Sequence, residues 1–95
     1  MYVLRGFKRS TGTFNGITYD KIRFCFTSFS SAPGSSGEMP LVIGGKLPSC
    51  KTAALSSVCD GISGLEGLVS LVDKPCEVLV DRFGTIVSLR FPDDD

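Results

Sequence analysis

Asn15-Gly16-Ile17-Thr18-Tyr19-Asp20-Lys21-Ile22-Arg23-Phe24-Cys25-Phe26, preceded by Gly6-Phe7-Lys8-Arg9, is the stretch that decides the fold. Asn-Gly predicts a two-residue type I′ turn, because both central residues need φ > 0 and the twist of that turn suits the strands on either side. Side chains alternate along a strand, so Ile22, Phe24 and Phe26 point to one face while Tyr19, Lys21, Arg23 and Cys25 point to the other. One face is apolar and the other cationic.

A register centred on Asn15-Gly16 sets Phe7 opposite Phe24 and Lys8 opposite Arg23. A bulge at Gly6, a common role for glycine in a strand, then brings Leu4 opposite Phe26 and adds Arg5 to the basic face. That face reads Arg5, Lys8, Lys21 and Arg23, with Tyr19 near the turn. Like charges directly across a ladder cost stability, and an anionic partner relieves that conflict. Against this stands the plainer reading of Lys and Arg as exposed-face residues that discourage edge pairing.

The chain has 95 residues, enough for one domain with one small core. We expect a single domain over residues 1–92 followed by an acidic tail at 93–95. Its 42% hydrophobic content and mean hydropathy of +0.21 argue for a folded globule. The net charge is zero, but the charges are divided. Residues 1–52 carry +5 and residues 53–95 carry −5. Such asymmetry points to a polyanion-binding surface with an acidic tail, Pro92-Asp93-Asp94-Asp95, that either keeps the chain soluble or competes with the polyanion.

Four cysteines (Cys25, Cys50, Cys59, Cys76) and no histidine narrow the chemistry. No Cys-x-x-Cys pair supports a zinc site, so no metal and no cofactor is expected. Cys25 and Cys76 lie in strand-like runs, where a thiol acts as a small hydrophobe. Without an imidazole, the usual base for a catalytic Ser or Cys is missing, and no enzyme or small-molecule substrate is expected. Asp73, Glu77 and Asp81 are four residues apart, but Pro75 keeps them off one helix. No apolar run reaches the roughly 18 residues of a membrane-spanning helix, so no membrane partner is expected.

Further along, residues 30–37 (Ser-Ser-Ala-Pro-Gly-Ser-Ser-Gly) read as a loop, and residues 38–43 as a short strand ended by Gly44-Gly45 and flanked by Lys46 and Lys51. Thr52 is a candidate N-cap for a helix of about two turns with Leu55, Val58, Cys59 and Ile62 on one face. Gly61, Gly64 and Gly67 argue against continuing it through the whole segment. No Walker arrangement accompanies these glycines. The strands 76–81 and 85–91 flank Arg82-Phe83-Gly84, with Asp81 and Gly84 placed for a type I turn closed by a glycine in the left-handed region. Phe83 at the apex either stacks on a ligand base, packs on a neighbouring subunit, or folds back on its own sheet.

Residues 16–19 (Gly-Ile-Thr-Tyr), the Cys25 strand, and residues 83–91 (Phe-Gly-Thr-Ile-Val-Ser-Leu-Arg-Phe) resemble the single-stranded DNA-binding proteins of filamentous bacteriophages, the gene V protein type. The resemblance covers the two hairpins and not the middle of the chain. It implies a mainly β fold, a five-stranded barrel of the oligonucleotide/oligosaccharide-binding (OB) kind, here with one short helix between strands 3 and 4. It also implies a homodimer in the bacterial host cytoplasm that coats phage or replication-intermediate DNA. By that resemblance Tyr19 is a base contact, Phe83 the apical aromatic and Arg90 a backbone contact.

Sequence-neutral binding of a single strand, DNA or RNA, needs cations for phosphates and π-faces for bases. Lys8, Arg9, Lys21, Arg23 and Arg82 supply the first, and Tyr19 and Phe83 the second. About five to seven phosphate contacts imply a slope of log K against log salt of about −3.5 to −5. The competing expectation is a small β-barrel that recruits a partner protein by strand addition or through the Phe83 tip.

Overall fold

The computed structural model describes residues 1–59, 62 and 64–92. Strands β1 (Tyr2–Phe14) and β2 (Ile17–Ser30) form one long antiparallel hairpin. Asn15 (φ 52°) and Gly16 (φ 77°) occupy its turn in the left-handed region. The ladder runs from Phe14 opposite Ile17 to Gly6 opposite Cys25, and a shift between Leu4 and Gly6 then sets Leu4 against Phe26. The register and the bulge are those the Asn-Gly turn and Gly6 predict.

β2 is long enough to serve two partners along its other edge. Lys21–Arg23 pair with β4 (Ser49–Lys51), and Thr27–Ser30 pair with β3 (Gly37–Pro40). The expected strand over 38–43 is cut short because Pro40 has no amide to donate. Beyond it Leu41 donates to the Phe26 carbonyl, and Ile43 and Lys46 close a tight turn over Gly44-Gly45.

On the opposite side β1 pairs with β5 (Pro75–Val80), which pairs with β6 (Ile86–Arg90). The result is a mainly β, six-stranded antiparallel open sheet of order β3-β2-β1-β5-β6, with β4 also on β2. These ladders give an open sheet where the sequence suggested a five-stranded OB-like barrel. β4 spans only three residues, and a single parallel bridge, Ser49 to Thr85, links it to the start of β6.

The inner face of the hairpin supplies Leu4, Ile22, Phe24 and Phe26, all fully buried. The Phe24 and Phe26 rings lie nearly parallel, 5.6 Å apart. A 3₁₀ turn (Thr52–Ala54) and two short helices, α1 (Leu55–Val58) and α2 (Leu65–Val69), cover this face with Leu55, Cys59 and Leu68. The single short helix expected there is thus divided, with Gly64 in extended conformation just before α2. Thr52 caps nothing; its hydroxyl donates to Asp20 Oδ1 at 2.7 Å. Cys76, Ile86 and Leu89 complete the core. Burial pushes the Cys50 thiol up and that of Cys76 to about 11, so both persist as thiols. Among the described residues, no helix is long and apolar enough to cross a membrane.

Candidate nucleic-acid interface

The face turned away from the core carries the odd-numbered residues of β2 from Ile17 to Cys25, because the side-chain period is two and the inner face holds the even ones. Across the ladder from them stand Phe14, Gly12, Ser10, Lys8 and Gly6 of β1. Lys8 therefore lies opposite Arg23. On the other edge, Lys21 lies opposite Lys51 and Arg23 opposite Ser49. Residues directly across a ladder share a face, so Lys8, Lys21, Arg23 and Lys51 form a block of four cations on three adjacent strands. Among the described residues, no carboxylate comes within ion-pair distance of any of the four. Two like-charged pairs, Lys8–Arg23 and Lys21–Lys51, thus face each other across the ladders, an arrangement that by itself costs the sheet stability.

Tyr19 sits one step nearer the turn, opposite Gly12. Its ring lies flat over the glycine, so close that a methyl group at position 12 would stand 2.6 Å from the phenolic oxygen. The Lys21 ammonium is 5.9 Å from the ring centroid. A groove of about 410 Å³ follows, bordered by Ser10, Phe14, Ile17, Tyr19, Lys21 and Arg23. A second hollow lies against Lys8, Arg23, Cys25 and Leu47. Arg23 borders both.

Arg5 and Arg9, expected beside these cations, are engaged elsewhere. Arg5 stands in the bulge, where its guanidinium donates to Asp73 Oδ1 at 2.8 Å and to Glu38 Oε1. Two carboxylates more than cancel its charge. Arg9 falls on the opposite face, opposite Ile22, and makes a bidentate pair with Asp20 at 2.9 and 2.6 Å. Those bonds from Arg9, followed by the one from Thr52, hold the Asp20 carboxyl down at about 2. The Arg9–Asp20–Thr52 chain ties the hairpin to the 3₁₀ turn that immediately follows Lys51.

Arg82 and Phe83 form the apex of the β5–β6 turn. Asp81 Oδ1 accepts from the amides of Phe83 and Thr85, and Gly84 takes φ 83°. Phe83 is 73% exposed, with the Arg82 guanidinium 4.8 Å above its ring, so it does not fold back on its own sheet. The Ser49 amide donates to the Gly84 carbonyl at 3.0 Å, which sets this apex at the β4 edge of the cationic block. Arg90 is not brought to the block. It ends β6 opposite Glu77, beside Met1 and Tyr2 at the other end of β1.

Sequence reasoning left out Lys51, Gly12, Phe14 and Ile17 as members of this face. The register centred on Asn15-Gly16 already sets the last three there. Nothing local marks a three-residue strand, so Lys51 had no comparable signal. A comparison with known protein families, curated proteins and solved structures finds no match for this chain.

Proposed function

We propose that this chain binds single-stranded nucleic acid, without strong sequence preference, on the outer face of the β1–β2–β4 ladder. The observation that carries the reading is the block Lys8, Lys21, Arg23 and Lys51, paired like with like and, among the described residues, free of carboxylate partners, beside a tyrosine laid flat on the sheet. A polyphosphate relieves the repulsion, and a flat exposed ring offers a surface to any base.

We read the strands in the order β1-β2-β4-β6-β5 as a partly open OB-like barrel that closes at the Ser49–Thr85 bridge. In that architecture the face of the second and third strands and two hairpin loops hold oligonucleotides. Here those loops are Asn15-Gly16 and Arg82-Phe83-Gly84. The resemblance of the two hairpins to the gene V protein type extends the proposal to a homodimer that coats replication intermediates.

Titration with an oligothymidine, followed by tyrosine emission, tests the reading. Four phosphate contacts give a slope of log K against log salt of about −3. This is shallower than the sequence alone suggests, because Arg5 and Arg9 are already paired. Absence of binding at low salt overturns the proposal. A second reading, a protein-interaction module, draws on β6 as the last strand of the sheet order and on the exposed Leu79 and Val87. Indifference to every oligonucleotide, together with strand-mediated capture of a partner chain, favours it.

A further inference from the structure

The turn end of the outer face is apolar where the rest of that face is charged. Phe14 and Ile17 stand directly opposite each other beside Asn15-Gly16, each with 71% of its surface in solvent. Neither has a core to enter, because the buried apolar residues of the hairpin lie on the other face. With Tyr19 they make the apolar part of the groove of about 410 Å³, a size at which small planar ligands are commonly held. Lys21 and Arg23 border the same groove. The ligand this complements carries flat, weakly polar rings a short distance from negative charges.

We propose that this groove is a nucleobase site, in which Phe14 offers a second stacking surface beside Tyr19 and Ile17 an apolar floor, while the attached phosphates lie on Lys21 and Arg23. The inference rests on the single-strand reading above and adds to it two side chains and a selection rule. Bases within a duplex are stacked on one another and present no free face, so the groove accepts unpaired strands only. Base–aromatic stacking tolerates any base, which agrees with binding that ignores sequence.

The test uses the full chain with an oligothymidine and an abasic deoxyribose-phosphate oligomer of equal length. Wild type binds the oligothymidine about 5- to 100-fold more tightly, as stacking of one base implies. The Phe14→Ser/Ile17→Ser double variant loses most of that preference and keeps its affinity for the abasic oligomer. In wild type, the Phe14 ring protons shift on addition of oligothymidine and not of the abasic oligomer, a readout independent of how the variant folds. Equal affinity of wild type for the two oligomers, or unmoved Phe14 resonances, overturns the base site while single-strand binding stands. Binding of neither oligomer overturns both. If the double variant keeps its base preference and instead loses self-association in sedimentation, the tip is a contact between copies and the proposal falls.

Discussion

The phenol of Tyr19 lies across the backbone of Gly12, at a distance that leaves no room for a side chain at position 12. Glycine in a strand interior weakens the strand, and a ring laid over it restores some of the lost contact. Tyr19 nonetheless keeps 39% of its surface in solvent.

Gly12→Ala therefore acts on the ring rather than on the fold. The methyl group meets the far end of the phenol, which swings away, so unfolding in urea shifts by less than about 1 kcal/mol. Affinity for oligothymidine falls several-fold, and tyrosine quenching on binding is reduced. A variant that binds and quenches like wild type shows that the flat ring has no part in binding.

The cations divide into two groups with different salt signatures. Replacing Lys8, Lys21, Arg23 or Lys51 by Ala lowers the magnitude of the salt slope by about 0.7 each. Arg9→Ala leaves the slope unchanged, because that guanidinium is held by Asp20 on the other face. Arg5→Ala does the same, its charge being taken up by Asp73 and Glu38. Fluorescence titrations at four or five salt concentrations separate the groups.

Asp20 is the acid-sensitive link. Its carboxyl is held at about 2 against an ordinary 3.8, so it binds its proton more weakly when folded than when unfolded. The stability it contributes is fully present above about pH 4 and is lost as pH falls through about 2. A carboxyl titration followed by NMR gives a midpoint near 2 for Asp20 and a value nearer 4 in Arg9→Ala. An unshifted midpoint in wild type means that the Arg9–Asp20–Thr52 chain does not persist in solution.

Phe24→Ala opens a cavity in the core beside Phe26. The expected loss is about 3–5 kcal/mol, read from the urea midpoint. Cys25→Ala, one residue along on the half-buried outer face, costs far less. Equal costs at the two positions mean that the inner and outer faces have been exchanged.

Much of this molecule is legible in one stretch of chain. Asn15-Gly16 specifies the turn, the turn specifies the register, and period-two alternation then decides that Phe24 and Phe26 go inward and Lys21 and Arg23 outward. These are local properties, set by backbone sterics and by side-chain spacing along a strand. Phe14, Gly12 and Ile17 were assignable to the outer face from the same register, although their exposure and the flat ring over Gly12 required coordinates. What tertiary structure alone decided are the partnerships between residues far apart in sequence. Asp73 and Glu38 reach Arg5, Thr52 reaches Asp20, and the three residues of β4 deliver Lys51 to Lys21. Each depends on where distant segments dock, and side-chain spacing along a strand carries no information about that. The open sheet has the same origin: only the folded chain shows β2 dividing one edge between β3 and β4.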